Sequence, residues 1–372
     1  MSRLACFTAL GAVLAFTVMP LEVLSCTSWM VFSDFTGNGT NILHKNRDSA
    51  SRKVFISSNQ PGAARRWIAL GSGGANIGFN SSGLAGAMNG GEKCIDPPAV
   101  KGRKSTPKML QVILESCDTA AAAVEKLQSF VKAGDYSHGQ RGSIFLFMDS
   151  SEGYVCEITA KVCNAQRFDR QYTVRASVWQ NPGMYQHSRE SIEIYLKASS
   201  RAYIAMSGLN RMLDEKGKIA LMDILTHSRH CIPPEDSPFK RSICGKTTNS
   251  AASVEIDKQY PQYLSTMYAA IGHPRHTVYV PIPITAEAIP AVMKNRRWSM
   301  TAYKRLDTHG EVAPIPEEWL KFEKESMEYY RKVQARARKL LDSGKNTEAA
   351  ALLNTAAGKI WKSAAKLLNT GK

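Results

Sequence analysis

The sequence predicts a mixed α+β fold, because strand patterns and helix patterns occupy separate stretches of the chain. Runs rich in β-branched and aromatic residues, bounded by turn residues, indicate strands within 26–48, 78–89, 143–179 and 242–282. Apolar residues at helical spacing indicate helices within 107–133 and again after Pro316. We therefore expect β-hairpins covered by helices, followed by a helical C-terminal segment.

Composition excludes several classes of protein. The 372 residues are 44% hydrophobic and 22% charged, which is ordinary for a folded protein and rules out wholesale disorder. The net charge of +16 comes from basic residues that are dispersed along the chain. Zinc-finger spacing, a basic region with heptads and an aromatic RNA-binding motif are all absent from the sequence. We expect no nucleic-acid partner, no metal and no cofactor.

Residues 1–25 have the layout of a secretory signal peptide. Arg3 gives a positive start, an apolar run follows, and Pro20 ends that run. The run is shorter than the ~20 residues of a membrane span. Cleavage before Cys26 predicts an exported protein, either periplasmic or secreted, and an uncleaved anchor is the alternative.

Seven cysteines follow this leader, which is an odd number. Six could pair in an oxidising compartment, and we predict that Cys26 is the unpaired one because cleavage makes it residue one. Its own α-amine, with a reference pKa near ~7.7–8.0, could then take the thiol proton and produce a nucleophilic thiolate. Two alternatives stay open: lipidation of Cys26 in a membrane-anchored lipoprotein, and an ordinary disulfide.

Cys26 also begins a predicted β-hairpin. Residues 26–32 form the first strand, a turn contains Gly37 and Gly39, and residues 41–48 return as the second strand. Antiparallel pairing brings the polar end of the second strand back beside the thiol. A cation there would lower the thiol pKa, and a carboxylate could hold the α-amine.

These residues resemble a known superfamily. Cys-Thr-Ser, followed by Gly-x-x-Ile-Leu-x-Lys-Asn-Arg-Asp, is similar to the N-terminal nucleophile hydrolases of the linear-amide type. That group includes choloylglycine hydrolases, penicillin V acylases, penicillin acyltransferase-like enzymes and cysteine dipeptidases. The resemblance runs along residues 26–285. It implies a four-layer αββα sandwich of two antiparallel sheets between helices, and cleavage of linear amides by an N-terminal cysteine.

The resemblance also implies residues around the nucleophile. The family pattern has an Arg three residues before an Asp, and here Lys45 precedes Asp48. A Lys lacks the planar fork of a guanidinium. Arg47 could supply that fork, but adjacent strand residues point to opposite faces, so we keep Lys45. An ordinary ion pair at the strand end is the alternative for both residues.

Two asparagines and an arginine complete the implied site. Residues 78–91 resemble a family hairpin that ends in an active-site asparagine, here Asn89, which would stabilise the oxyanion. Asn181, before Pro182, resembles the second oxyanion asparagine. Ser199-Ser200-Arg201 resembles a Ser-Ser-x-Arg-Tyr stretch, although its arginine comes one residue earlier, and places Arg201 near the nucleophile. The alternatives are a loop asparagine for Asn89, a plain Asn-Pro turn for Asn181 and a surface arginine for Arg201.

Further expectations concern the middle of the chain. Two helices within 107–133 should cover a sheet, with Asp118 capping the second. Four strands between Ser143 and Trp179 should form a meander. Cys156 and Cys163 flank one of its turns, which suggests a cross-strand disulfide. Cys231 and Cys244 flank a Pro-rich loop and could also pair.

The sequence divides into a leader at 1–25, a catalytic domain at 26–310 and a helical extension at 311–372. The extension should form a helical hairpin that packs on the core or on a sister subunit in a homo-oligomer. Contact with a membrane surface is the alternative, because lysines cluster beside Trp361. The sequence therefore predicts an exported cysteine amidohydrolase for a small linear amide or peptide substrate. Acyl transfer at the same site and a non-catalytic lipoprotein remain alternatives.

Overall fold

The computed structural model describes residues 26–60, 62–99, 101–232 and 242–369. The predicted signal peptide lies outside these residues. The strands are β1 Thr27–Val31, β2 Asn41–Asp48, β3 Phe55–Ser58, β4 Trp67–Gly71, β5 Ile77–Asn80, β6 Ala85–Lys93, β7 Lys104–Ser105, β8 Tyr136–Ser137, β9 Arg141–Met148, β10 Gly153–Ile158, β11 Cys163–Phe168, β12 Tyr172–Arg175, β13 Thr248–Ile256, β14 Thr266–Ala270 and β15 Tyr279–Pro283. The helices are α1 Thr106–Ser116, α2 Ala120–Ala133, α3 Ile192–Lys216, α4 Leu221–His227, α5 Pro261–Leu264, α6 Ala291–Lys294, α7 Arg297–His309, α8 Glu317–Asp342 and α9 Asn346–Leu367.

Two antiparallel sheets form the centre of the molecule. The six-stranded sheet has the order β12-β1-β2-β13-β14-β15, and the seven-stranded sheet has the order β11-β10-β9-β6-β5-β4-β3. They pack face to face where β1 and β2 contact β6. Met30, Leu43, Phe79 and Leu146 are buried in the core cluster that includes this interface. A short parallel pair, β7 with β8, stands apart from both sheets.

Helices cover the outer face of each sheet. Helices α1 and α2 pack on the seven-stranded sheet, whereas α3, α4, α8 and α9 pack on the six-stranded sheet. Met109, Leu110 and Phe130 lie on the buried side of α1 and α2, at the spacing of an amphipathic helix. The predicted α+β architecture, with two sheets between helical layers, is confirmed.

The β1–β2 hairpin forms as expected and sets the register at its open end. Thr27 lies opposite Asn46, and Ser28 lies opposite Lys45. The Asn41 side chain accepts a hydrogen bond from the Ser33 backbone across the turn, at 2.9 Å. This register returns the polar end of β2 to the position of Cys26, which directly precedes β1.

Two local predictions were wrong. The fourth strand of the expected meander leaves the seven-stranded sheet, and β12 pairs with β1 instead, where Val174 lies opposite Trp29. β12 thereby becomes the edge strand of the six-stranded sheet, and Val174 packs in the apolar cluster beneath α3. Asp118 does not cap α2, because it pairs with Arg65, and Thr119 accepts the capping hydrogen bond from the Ala122 backbone.

The C-terminal helical hairpin is confirmed and lies on the core. Helices α8 and α9 pack on each other and on β15. Trp361 is buried and donates to the Pro281 carbonyl at 2.8 Å, so its ring faces the core and not the exposed lysines of α9. None of the described helices combines the length and apolarity that a bilayer span requires. Membrane-surface contact and oligomerisation stay predictions.

Candidate active site

Cys26 lies at the open end of the β1–β2 hairpin, nearly enclosed, with 8% of its surface exposed. Its Sγ donates to the Asp48 carbonyl oxygen at 3.7 Å. Burial lowers the pKa of Lys45 and of Arg47, and the charge of the nearby Cys26 sulfur opposes that effect in both cases. Both cations of β2 are therefore close enough to stabilise a thiolate at Cys26.

Lys45 and Asn89 form the innermost polar contact of the site. Lys45 is fully buried, and its Nζ donates to Asn89 Oδ1 at 2.5 Å. The Ser28 hydroxyl donates to the same oxygen at 2.8 Å. Asn89 Nδ2 in turn donates to the Arg175 carbonyl at 3.2 Å. These bonds fix the amide orientation, with its oxygen toward the cation and its NH₂ group on the other side.

Asp48 and Arg201 form a buried ion pair that joins the end of β2 to α3. The Arg201 guanidinium donates to one carboxylate oxygen of Asp48. The other oxygen accepts a hydrogen bond from the Thr248 hydroxyl at 2.7 Å. Arg201 is 3% exposed, so it is not a surface arginine. The pair anchors the strand end whose backbone carbonyl faces the Cys26 sulfur.

Asn181 stands apart from these contacts. Its Nδ2 donates to the Val155 carbonyl at 3.0 Å and to the Asn164 carbonyl at 3.1 Å. Its Oδ1 accepts from the Arg175 guanidinium at 3.4 Å. No hydrogen bond among the described residues joins Asn181 to Cys26 or Asn89. The oxyanion role predicted for it requires the side-chain amide to turn away from its present partners.

Two buried carboxylates hold the segment that carries Asn181. Glu92 accepts from the Trp179 backbone N–H at 2.8 Å. Glu157 accepts from the backbone N–H groups of Gln180 and Asn181 at 2.7 and 2.9 Å. Burial raises the pKa of Glu157 to about 7, although these hydrogen bonds and Arg175 oppose the shift. Three consecutive amides are thus held by acidic groups that sequence reasoning did not identify.

Other contacts of the site were also missed from sequence. Ser28 could have been found, because it lies two residues after Cys26 and so on the same side of β1. Thr248 and Arg175 carry no such signal. Thr248 reaches Asp48 only because β13 pairs with β2, and the Arg175 carbonyl reaches Asn89 only because β12 changes sheets.

A cavity of about 860 Å³ lies away from Cys26. It is lined in part by Gly37, Leu221, Leu320 and Met327, between α4 and α8. Gly37 belongs to the turn of the β1–β2 hairpin, and Cys26 lies at the opposite end of that hairpin. This cavity is therefore not the place where a substrate would meet the thiol.

Comparison with known proteins gives structural similarity alone. No protein-family model matches the chain, and no curated protein matches it. A solved structure of penicillin V acylase from Agrobacterium tumefaciens is similar at 14% identity and a TM-score of 0.45, covering 70% of this chain and 87% of that one. Two variants of conjugated bile acid hydrolase from Clostridium perfringens are similar at 11% identity and TM-scores of 0.44, covering 70% and 69% of this chain and 92% of theirs. Similarity at this level assigns no activity, which has to be argued from the chain's own residues.

Proposed function

We propose that the chain is an exported cysteine amidohydrolase that cleaves linear amide or peptide bonds through an acyl-cysteine intermediate on Cys26. One observation carries the proposal. Around the enclosed Cys26 sulfur lie the buried cation Lys45, bonded to Asn89, and the Asp48–Arg201 pair. A strand-end ion pair for stability alone would not need a second buried cation and a fixed amide beside a thiol.

The first step is formation of the thiolate. The α-amine that cleavage before Cys26 would release accepts the thiol proton, and the positive charge of Lys45 favours the anionic sulfur. The thiolate attacks the amide carbonyl carbon and forms a carbon–sulfur bond, while the carbonyl electron pair moves to oxygen. Asn89 Nδ2 has two hydrogens, of which the Arg175 carbonyl accepts one. The other can stabilise the oxyanion.

Collapse of this intermediate breaks the carbon–nitrogen bond. The α-ammonium returns its proton to the departing amine, which leaves as a neutral product. The α-amine of Cys26 then takes a proton from water, and the hydroxide attacks the thioester carbonyl. The carbon–sulfur bond breaks, the α-ammonium returns its proton to the sulfur, and the acid product leaves and releases its proton to solvent as the carboxylate forms. Asp48 and Arg201 keep the end of β2 in place through these steps, and Asn181 supplies a second donor once its amide has turned.

Intact mass of the exported protein tests the first requirement. A mass that corresponds to a chain starting at unmodified Cys26 is expected. Diacylglycerol on the sulfur, an acyl chain on the amine or a retained leader would each overturn the mechanism, because the free α-amine is its base.

Reaction with a thiol-specific electrophile tests the nucleophile. At neutral pH the native protein should be labelled at Cys26, and Cys26→Ser should lose both this label and amidase activity on a panel of acyl-amino acids and dipeptides. Cys117→Ser, which removes a buried thiol under the other sheet, is the control and should keep both. Equal labelling of the native protein and Cys26→Ser would refute a reactive thiol at this position.

A further inference from the structure

Cys231 and Cys244 bring two sulfur atoms together beside the Asp48 pair. The Cys244 backbone N–H donates to the His230 carbonyl at 3.0 Å, and the Ser242 hydroxyl donates to the same carbonyl. The two chain segments therefore run side by side where the cysteines stand. Burial raises the pKa of the Cys244 thiol, and the adjacent Cys231 raises it further. Both residues are buried, and Cys231 keeps a small exposed surface whereas Cys244 has none.

Cys244 directly precedes a turn that contacts both members of the ion pair. The Thr248 backbone N–H donates to the Gly245 carbonyl at 2.8 Å, and the Gly245 N–H donates to the Thr248 hydroxyl at 2.9 Å. That hydroxyl donates to Asp48. A Cβ added to Gly245 would lie 3.4 Å from Arg201 Nη2. The position of the Gly245–Thr248 turn therefore determines how Asp48 is held.

His273 completes a cluster whose chemistry could hold a metal ion. The ligand atoms of Cys231, Cys244 and His273 all lie within 4.8 Å of one another. However, His273 Nδ1 accepts from the Arg275 backbone N–H at 3.4 Å, and Nε2 faces the Gly245 carbonyl at 3.2 Å. These partners place the ring proton on Nε2, the nitrogen that faces the sulfur atoms, and a protonated nitrogen cannot ligate a metal. The geometry favours a bond between the two sulfurs.

We propose that Cys231 and Cys244 form a disulfide that fixes the Gly245–Thr248 turn against Asp48 and Arg201. Its effect on catalysis rests on the proposed function. An external disulfide such as oxidised glutathione is the oxidant. The Cys231 thiolate, on the more accessible residue, attacks the oxidant and releases one glutathione thiol. The Cys244 thiolate then attacks the Cys231 sulfur of this mixed disulfide and displaces the second glutathione. Two protons and two electrons thus pass from the protein to one oxidised glutathione, which leaves as two thiols.

Disulfide mapping tests the bond without any need for activity. Cys26→Ser protein is equilibrated with oxidised or reduced glutathione, alkylated under denaturing conditions and digested. In the oxidised sample we expect a linked pair of peptides containing Cys231 and Cys244, and a Tm higher by a few degrees than in the reduced sample, because the cross-link restricts the unfolded chain. Alkylation of both thiols in the oxidised sample would overturn the proposal. So would bound zinc whose removal by a chelator frees the two thiols.

Matched variants assign the effect to this pair. In the Cys26→Ser protein, the further changes Cys231→Ala and Cys244→Ala should abolish the linked peptides. They should also abolish the part of the Tm difference between oxidised and reduced samples that this bond contributes. Adding Cys163→Ala should leave both in place, because Cys163 adjoins Cys156 on the other sheet. Loss of the Cys231–Cys244 peptides in the Cys163→Ala protein would contradict the assigned pairing.

Amidase kinetics test the link to the site. With Cys26 intact and shown by labelling to be a free thiol, the oxidised protein should have a kcat several-fold higher than that of the Cys231→Ala/Cys244→Ala variant. Equal kcat values would refute the coupling while leaving the mapped bond in place. If the proposed function itself fails, every form is inactive, and mapping alone still decides whether the bond exists.

Discussion

Lys45 places its Nζ in a fully buried position, with Asn89 and the Cys26 sulfur as its partners. Burying a charge is costly unless it is paired and hydrogen-bonded. The sequence suggested that a lysine in this place was a departure from an arginine pattern. In the structure its Nζ reaches Asn89 Oδ1 at 2.5 Å.

Replacing Lys45 tests its effect on the thiol. Lys45→Met removes the charge and keeps the apolar stem, so the Cys26 thiolate should lose a favourable neighbour and form less readily. The pH profile of alkylation at Cys26 should therefore move to higher pH. Lys53→Met, which changes an exposed lysine, is the control and should leave the profile in place. An unchanged profile in Lys45→Met would show that Lys45 does not act on the sulfur.

Asn89 is the second residue whose role can be measured. Asn89→Ala removes the amide that faces Lys45 and the proposed oxyanion donor, so we expect kcat to fall about 10²–10³-fold, as for other lost oxyanion donors. KM should change much less. Asn164 lies on β11, and its side chain contacts Asn181. Asn164→Ala is the control and should lower kcat much less. A large rise in KM with unchanged kcat would contradict the assignment.

Glu157 makes stability depend on pH. Its pKa in the folded protein is about 7, above its ordinary value of 4.5, so the folded state binds more protons than the unfolded state between these values. The contribution of Glu157 to the free energy of unfolding is fully present below about pH 4.5 and is lost as the pH rises through about 7. Over that range the free energy of unfolding falls by up to about 1.4 kcal/mol per pH unit. Glu157→Gln should flatten that part of the curve of unfolding free energy against pH, measured by denaturant titration. Glu115→Gln, which changes an exposed position on α1, is the control and should leave that curve unchanged.

At the level of elements, the β1–β2 hairpin was the most predictable part of the fold and of the site. Its strands have strong β-propensity and its turn has glycine, so local sequence sufficed. The path of β12 was not predictable. A strand pattern does not specify which sheet the strand joins, and the choice depended on the apolar contacts of Val174 with residues far away in sequence.

Helix α8 is tied to the core by a buried ion pair. Arg229 Nη2 lies 2.5 Å from Glu323 Oε1, and the same oxygen accepts the Tyr279 backbone N–H of β15 at 2.6 Å. Glu323→Gln should destabilise the protein by about 3–5 kcal/mol, because it leaves the Arg229 charge buried without its counter-ion. Glu325→Gln breaks the exposed pair with Lys321 on the same helix and should have little effect on Tm. Similar Tm losses in the two variants would contradict the buried pair's role.

On the scale of the whole molecule, the C-terminal hairpin shares its apolar cluster with the six-stranded sheet. Tyr330, Ile360 and Trp361 pack in the same cluster as Met30 and Leu43. We therefore expect one cooperative unfolding transition. Native-state hydrogen exchange should give the slowest amides of α9 and of β2 the same opening free energy. A much lower value for α9 would mean that the hairpin unfolds independently of the sheets.

The sequence by itself determined the local parts: the α+β class, the β1–β2 hairpin, the two C-terminal helices and the residue types needed around Cys26. These depend on side-chain periodicity and turn chemistry, which act over a few residues. Only the tertiary structure decided which distant groups meet. Arg201 and Thr248 reach Asp48, Glu157 holds the Asn181 segment and Cys231 lies against Cys244 because strand order and helix packing bring them together. Burial in that packed interior also raises the pKa of Glu157 and of the Cys244 thiol, since the loss of solvation exists only once the sheets and helices have closed around them.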